Sequence, residues 1–221
     1  MMKTMIVSFG LFCLALPQPS AQTVKADLSN SARWDLHNRE RVPNSDKATV
    51  EMSKAPGDGM MILKDSKFLE GVLEFIIKGE NRPGESFVGI AFNVQDDKHY
   101  EAIYFRPFNF LNKERRSHSV QYISMPDHPW EQLRSGFPGK YENALDPAPD
   151  PDGWFRAKVV ITGKMIRVFV NDAPKPSLEV ESLVELNTAR AGAIGLWVGN
   201  YSKGSFKDLK ITSAKPAAGS K

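Results

Sequence analysis

The sequence predicts an all-β domain, built as a two-sheet antiparallel sandwich of the jelly-roll type. Short runs of β-branched and aromatic residues recur along the chain, and clusters of Gly, Pro, Asn and Asp separate them. Within several of these runs apolar and polar residues alternate, as they do in strands that bury one face. The runs do not alternate with helical segments, which argues against a doubly wound α/β fold.

The first 21 residues are predicted to be a secretory signal. Lys3 precedes an apolar run from Met5 to Leu16, and small residues lead to an expected cleavage after Ala21. The run is about a dozen residues long, whereas a membrane-spanning helix needs about 20, and no later segment is more apolar. We therefore predict a secreted or periplasmic protein without a membrane span.

The single cysteine of the chain excludes several kinds of chemistry for the mature protein. Cys13 is the only cysteine and lies within the predicted signal, so the mature chain would contain no thiol. Disulfides, a cysteine nucleophile and thiolate metal sites are then excluded. A lipid anchor on Cys13 is the alternative, but the bulky Phe12 before it argues against that processing.

The mature chain has the size and charge of one ordinary globular domain. We place this domain at residues 22–212 and predict a disordered tail at 213–221. The formal net charge is +3, and removal of Lys3 with the signal lowers it by one. Because the basic residues are spread along the chain, nucleic acid is not an expected partner.

Two hairpins are the clearest elements. Residues 87–95 and 100–105 alternate around a turn at 96–98, with Tyr104 and Arg106 on the face opposite the core. Residues 155–161 and 166–170 do the same around a Gly163 turn, and Pro174 then ends the ladder. The other predicted strands are 49–52, 60–63, 69–78, 119–124, 178–180, 191–198 and 205–211.

Two segments depart from this rhythm. Residues 179–186 are the only short helix candidate. Residues 109–151 are rich in proline and include Trp130 and His118, and we expect them to form an ordered excursion over one sheet. Long ordered loops on a rigid scaffold are where binding residues usually collect.

Several strands resemble those of known sandwich domains. Residues 71–75, 87–92, 99–106, 159–171 and 193–198 are similar to successive strands of laminin G-like and concanavalin A-like lectin/glucanase domains. Within that group the chain most resembles the bacterial 3-keto-disaccharide hydrolase domain, also described as family 16 glycoside hydrolase-like. The resemblance implies a concanavalin A-like sandwich, a fold that serves lectins, hydrolases and adhesion modules alike.

The motifs give little support for catalysis. The Glu-x-Asp-x-x-Glu strand of family 16 glucanases is absent, as are the serine-hydrolase, zincin and phosphate-loop patterns. If the protein is an enzyme, the candidates for a general acid or base are Glu101, His118 and Glu74.

A carbohydrate partner is better supported, because a pyranose offers apolar C–H faces to aromatic rings and hydroxyl groups to planar polar side chains. The predicted contact residues are Asn93, Tyr104, Arg106, Arg116, His118, Tyr122, Trp130 and Trp197. Each of the aromatic residues has an alternative role in packing the long segment onto the sheet.

No cofactor is required by these patterns. Asp146, Asp150 and Asp152 form an acidic, proline-spaced loop that makes calcium a candidate ligand, with a solvated turn as the alternative.

Three functions follow from the sequence. The first is an exported carbohydrate-binding, lectin-like domain of a bacterial glycan-utilisation system. The second is a hydrolase of the 3-keto-disaccharide hydrolase type, acting on glycosidic bonds. The third is a laminin G-like adhesion or interaction module.

Overall fold

The computed structural model describes residues 22–184 and 191–214. The predicted signal, residues 1–21, lies outside these ranges, as does most of the predicted tail. Ser213, the first residue of the predicted tail, is the last residue of the final strand. Within the described ranges, no helix is long and apolar enough to cross a membrane.

The described residues form fifteen strands and one α-helix. The first eight strands are β1 (Gln22–Lys25), β2 (Trp34–His37), β3 (Arg41–Val42), β4 (Thr49–Met52), β5 (Gly59–Leu63), β6 (Gly71–Lys78), β7 (Val88–Val94) and β8 (Tyr100–Phe105). The others are β9 (Val120–Met125), β10 (Glu142–Asn143), β11 (Phe155–Thr162), β12 (Met165–Val170), β13 (Leu178–Glu181), β14 (Ala193–Val198) and β15 (Gly204–Ser213). Helix α1 (Trp130–Gly136) lies between β9 and β10.

The strands pair into two antiparallel sheets, as the sequence predicts. The eight-stranded sheet has the order β13-β12-β11-β6-β15-β4-β3, and β1 joins it by pairing with β15. The seven-stranded sheet has the order β10-β9-β8-β7-β14-β5-β2. The all-β sandwich of the jelly-roll type is therefore confirmed.

The core lies between the two sheets. Leu73, Phe75 and Ile77 alternate along β6 and are almost completely buried, whereas the residues between them are half-buried. Phe105 of β8 meets Phe155 of β11 edge to face, with ring centroids 5.1 Å apart, so this contact joins one sheet to the other. Burying such a side chain stabilises the fold by about 2–3 kcal/mol. Because a slip of one residue would turn every core side chain of a strand toward solvent, the alternation strongly constrains the pairing register.

The two predicted hairpins are present. β7 pairs with β8 so that Ile90 lies opposite Ile103, and β11 pairs with β12 through a turn at Gly163, where φ is 55°. That left-handed conformation suits glycine, which has no Cβ. The register places Tyr104 and Arg106 on the outer face of the seven-stranded sheet, as predicted.

The predicted helix is not observed, and the helix that is observed was not predicted. Residues 179–181 belong to β13, because Arg167 and Ile166 pair with them from β12, and residues 185 and 186 lie outside the described ranges. The observed helix is α1, which follows Pro129 and buries only Leu133. With a single buried residue in seven, this helix has too weak an apolar period to be found in the sequence.

Candidate functional site

The long segment at residues 109–151 is only partly an excursion over the sheet. Its strands β9 and β10 extend the seven-stranded sheet, with Glu142 opposite Gln121 on the outer face. Helix α1 lies beside β9, and Arg134 reaches the outer-face Glu142 with its Nη2 2.7 Å from Oε2. The helix therefore covers one end of this outer face.

A cleft of about 450 Å³ opens beside the helix. The side chains that line it are aromatic or basic, apart from one amide and one glycine. They are Gly84, Phe87, Arg106, Phe108, Asn109, Arg115, His118, Trp130 and Arg134. We call these residues the outer-face cleft.

Three aromatic rings form the apolar part of the outer-face cleft. Phe87 and Phe108 meet edge to face, with centroids 5.6 Å apart. Trp130 is 38% exposed, and the guanidinium carbon atoms of Arg134 and Arg106 lie 4.6 and 5.7 Å from its ring centroid. These cation–π contacts hold the indole in place while leaving part of it open to solvent.

Arg106 lies at the base of the cleft and is 4% exposed. Its Nη2 donates to the Tyr104 hydroxyl at 2.5 Å, and its Nη1 donates to the carbonyl oxygen of His118 at 3.1 Å. Burial lowers the pKa of Arg106 below its ordinary value, and the nearby Tyr104 opposes this effect. The contacts fix the guanidinium plane relative to the aromatic rings.

Glu142 is the carboxylate that joins the basic residues of the cleft. Its Oε1 lies 2.8 Å from His118 Nδ1, and Arg134 donates from both Nε and Nη2. Arg106 Nη1 is 3.8 Å away. Burial by itself would raise the pKa of the Glu142 carboxyl, but the hydrogen bonds and charge of Arg134, followed by those of His118, hold it below its ordinary value.

The structure brings three of the predicted contact residues together, namely Arg106, His118 and Trp130. Arg116 is exposed in the short 3₁₀ turn Arg116–His118 and does not line the cleft. Its neighbour Arg115 lines the cleft instead.

Tyr104 lies on the predicted outer face and Trp197 lies beside it on the same face, but both rings are buried. They are 2% and 3% exposed, and their ring centroids are 5.0 Å apart. The Trp197 indole N–H donates to the Tyr100 hydroxyl at 3.2 Å. Both rings therefore pack the sheet, as in the alternative that the sequence left open, and neither is accessible to a ligand.

Glu101, Tyr122 and Asn93 form a separate network on the inner side of the seven-stranded sheet. The Tyr122 hydroxyl donates to Glu101 Oε1 at 2.6 Å, Ser182 donates to the same atom at 2.6 Å, and Asn93 donates to Oε2 at 3.2 Å. Burial raises the pKa of Tyr122 well above its ordinary value. These contacts place the candidate base Glu101 and the candidate contacts Tyr122 and Asn93 away from the outer-face cleft. Glu101 and Asn93 instead line a smaller cavity of about 150 Å³.

The third catalytic candidate, Glu74, lies on the other sheet. Its neighbours across the ladder are Lys158 on β11 and Lys210 on β15. Opposite charges on adjacent strands stabilise a sheet. The distance between the sheets separates Glu74 from His118, so the two cannot act together.

Asp150 and Asp152 of the acidic loop accept hydrogen bonds from backbone N–H groups. Asp150 Oδ1 accepts the backbone N–H of Asp152 at 3.0 Å, and Asp152 Oδ1 accepts that of Asn81 at 2.8 Å. Residues 22–184 and 191–214 contain no group of three or more His, Cys, Asp or Glu side chains placed to hold a metal. Asp146 is exposed in the same loop. These contacts favour the solvated turn, and a calcium ion bound at this loop stays a prediction.

Several cleft residues could not be identified from the sequence. Phe87, Phe108, Asn109, Arg115 and Arg134 come from four separate parts of the chain. The only sequence signal was the cluster of aromatic and basic residues between 105 and 122, which resembles no motif with a known mechanism. Glu142 was missed because its partners are eight or more residues away in sequence.

The comparisons with known proteins extend the description of the fold. No protein-family model matches the chain, and no curated protein matches it. Among solved structures, the carbohydrate-binding module CBM66 from Bacillus subtilis has a TM-score of 0.59 and 13% identity, covering 80% of this chain and 94% of the module. The exoplasmic/lumenal domain of VIP36, bound to Ca²⁺ and Man3GlcNAc, has a TM-score of 0.60 and 12% identity, covering 91% and 92%.

A third structure, described as a native glycosidic hydrolase, has a TM-score of 0.57 and 13% identity, covering 90% of this chain and 99% of that one. A protein of unknown function from Bacillus subtilis with a galectin-like fold is also similar, with a TM-score of 0.57. At these identities the likeness shows the fold alone. The chain has the concanavalin A-like sandwich fold that the resemblance of its strands implied, and the galectin-like structure shares this fold.

Proposed function

We propose that the protein is a carbohydrate-binding domain of an exported glycan-utilisation system, and that the outer-face cleft is its binding site. The observation that carries this proposal is the arrangement of Phe87, Phe108 and Trp130 around fixed polar groups, in a cleft of about 450 Å³. A sugar ring needs this combination, because its C–H faces stack on aromatic rings while its hydroxyl groups need oriented hydrogen-bonding partners.

The polar groups of the cleft are suited to this role. Arg106 and Asn109 are buried and held by the His118 carbonyl oxygen, at 3.1 and 3.0 Å respectively. Asn109 Oδ1 is a buried acceptor without a hydrogen-bond partner among the described residues. Positions fixed before binding lose little side-chain entropy when a ligand arrives.

Two other proteins of similar fold are described as binding carbohydrate or as bound to it. CBM66 is a carbohydrate-binding module, and the VIP36 domain was solved with Man3GlcNAc. These structures support the proposed class of ligand without identifying the glycan for this chain.

The experiment is a glycan screen with residues 22–221, followed by titration calorimetry of the variants Trp130→Ala and Trp154→Ala. The two tryptophans are matched, since they are 38% and 39% exposed and each has a cation over its ring. Trp154 lies outside the outer-face cleft. We expect Trp130→Ala to weaken binding about tenfold or more, in line with a loss of about 1–3 kcal/mol of stacking, and Trp154→Ala to leave it unchanged.

Loss of binding in Trp154→Ala alone would move the site to the other sheet. Absence of saturable binding to every glycan would contradict the proposal and favour the adhesion alternative.

A second candidate function, a hydrolase acting on glycosides, is favoured by the pair formed by His118 and Glu142. The Nδ1 atom of His118 lies 2.8 Å from a carboxylate oxygen of Glu142, but the angle between them is not that of a hydrogen bond. A rotation of the ring that aligns the two groups would orient His118 as a general base, with Nε2 left to accept a proton from water. The objection is that no carboxylate lines the cleft, whereas a retaining glycosidase needs two of them about 5 Å apart.

The two candidates are separated by a turnover assay with 3-keto-glycosides and ordinary glycosides, comparing His118→Ala with His99→Ala. His99 also pairs with a carboxylate at 2.8 Å, that of Asp96, but it lies outside the cleft. Release of product that is lost only in His118→Ala would replace the binding function with the hydrolytic one. Binding without turnover is the outcome we expect.

Export is part of the proposal and is supported by the pattern of Lys3, an apolar run and small residues before position 22. We expect the mature protein to begin at Gln22 in the periplasm or culture medium. Intact-mass measurement of protein from the native host tests this, and retention of residues 1–21 would contradict it.

A further inference from the structure

The charges of the outer-face cleft are unbalanced. Three guanidinium groups and one imidazole line it, those of Arg106, Arg115, Arg134 and His118, and no carboxylate does. The carboxylate nearest to these groups is that of Glu142, which lies behind the cleft with its side chain 2% exposed. The exposed carboxylate of Glu131 on α1 also acts on Arg106. Within the cleft itself, three guanidinium groups face no carboxylate.

The guanidinium groups differ in how many of their N–H donors are already hydrogen-bonded to other residues of the protein. Arg134 donates to Glu142 from Nε and Nη2, and Arg106 donates to Tyr104 and Gln121. Arg115, by contrast, is exposed, and its guanidinium has no ion pair or hydrogen bond within the described ranges. It is the cation most available to a ligand.

A cleft of similar size on the other sheet lacks this surplus of positive charge. The comparable cleft on the other sheet, of about 410 Å³, mixes acids with lysines. It is lined by Asp46, Glu51, Glu80 and Asp152 together with Lys78 and Lys203. The outer-face cleft is thus a basic pocket on a chain whose net charge is only +3.

A surplus of buried or half-buried positive charge is costly to leave uncompensated, and an anionic ligand would compensate it. A guanidinium group binds planar carboxylates and sulfates through two parallel hydrogen bonds, which an uncharged sugar cannot match. Aromatic rings beside these groups would hold the sugar ring that carries the anion.

We propose that the ligand of the outer-face cleft is an acidic glycan, and that a carboxylate or sulfate group on its sugar ring binds between Arg115 and Arg106. This inference rests on the proposed carbohydrate-binding function and names the class of glycan that the site accepts. Carboxylate and sulfate groups can both accept two parallel hydrogen bonds from a guanidinium group. The experiment tests the two anions in separate arms.

The experiment compares matched polymers that differ in charge alone. Polygalacturonate is paired with its methyl ester for the carboxylate arm, and dextran sulfate is paired with dextran for the sulfate arm. Binding to residues 22–221 is measured by calorimetry at 50 and 200 mM salt. We expect at least one acidic polymer to bind about tenfold more tightly than its neutral partner, with the difference falling as salt rises.

Variants then locate the effect. Arg115→Gln removes an exposed charge without touching the core, and we expect it to weaken binding of the acidic polymer about fivefold more than it weakens binding of the neutral partner. Arg33→Gln is the matched control, because Arg33 is exposed before β2, at the opposite edge of the same sheet. It should have no effect.

Each contrary result is informative. Equal affinity for the acidic and neutral polymers would overturn the acidic-glycan inference and leave the proposed function standing. No binding of any of the four polymers would overturn the acidic-glycan inference, and the wider glycan screen would then decide the proposed function. If duplex DNA binds as tightly as the acidic polymer, or if Trp130→Ala has no effect on acidic binding, the cleft is a general polyanion surface and the inference is again overturned.

Discussion

The carboxylate of Glu142 offers the most direct test of how the candidate site is held together. Its side chain is 2% exposed, accepts from Arg134 Nε and Nη2 at 3.0 and 2.7 Å, and lies 2.8 Å from His118 Nδ1. The substitution Glu142→Gln keeps the shape of the side chain. It removes the negative charge and turns one acceptor oxygen into an amide donor that faces other donors.

The cost of this substitution can be worked out from these contacts. Removing one partner of a buried ion pair costs about 3–5 kcal/mol, and a hydrogen bond to a charged group is worth about 1.5–3 kcal/mol. Arg134 is 33% exposed, so water takes over part of what it loses. We therefore expect Glu142→Gln to lower the free energy of unfolding by about 2–4 kcal/mol, which shifts the urea midpoint by about 1–2 M.

The effect should depend on pH in a defined direction. The pKa of Glu142 is lowered in the folded protein, so its contribution to stability is fully present above the unfolded-state value near 4.5. That contribution is lost as the pH falls through the lower folded-state pKa. The difference between the wild type and Glu142→Gln should then shrink at acid pH, because a protonated glutamate is also neutral.

Urea denaturation at pH 7 and at the lowest pH where both proteins still fold measures this difference. Glu179→Gln is the control, because Glu179 pairs with Arg167 but is 47% exposed, and such surface pairs are worth about 0–1 kcal/mol. A loss in Glu142→Gln that is equally large at both pH values would refute the electrostatic explanation. A loss no greater than that of Glu179→Gln would refute the network itself.

Three further predictions concern the rest of the sandwich. Tyr122→Phe removes the 2.6 Å hydrogen bond to the buried Glu101, so we expect urea denaturation to show a free energy of unfolding lower by about 1–3 kcal/mol, with no change in glycan affinity. Weakened glycan binding would instead place this hydrogen-bond network in the binding site. Gly89→Ala would push a Cβ atom into the backbone and side chain of Tyr104, so we expect it to lower the free energy of unfolding by about 3 kcal/mol or more. The control Gly136→Ala has open space around its Cβ position and should be neutral or stabilising, so equal stability of the two variants would show that the outer face can relax. Chelation of divalent ions should move the thermal midpoint by less than about 1 °C, and a larger fall would reveal a metal site that the described residues do not form.

The fold could be predicted from the sequence because alternation is a local property. In β6 and β11, for example, every second residue is buried, so residues 71–78 and 155–162 reveal both their strand character and their core face. Short edge elements were missed for the same reason. β3 and β10 contain two residues each, too few to show any period.

The candidate site was predicted less well. Alternation correctly placed Tyr104 and Arg106 on the outer face, but it could not show that Tyr104 is buried there or that Trp197 packs against it. The burial of these rings depends on what packs above the sheet. The network around Glu101 was also beyond the sequence, because Ser182 is 81 residues away from it.

Taken by itself, the sequence determined the fold class, both hairpins and the outward direction of Arg106, since each depends on residues within one strand or on its neighbour across a turn. The tertiary structure decided which outward-facing residues reach solvent and which charges meet. Helix α1 has one buried residue and no strong period, yet its position brings Arg134 to Glu142 and Trp130 over Arg106. Contacts of this kind come from chain segments that share no local pattern, so burial and charge balance arise only once the two sheets and the helix have packed.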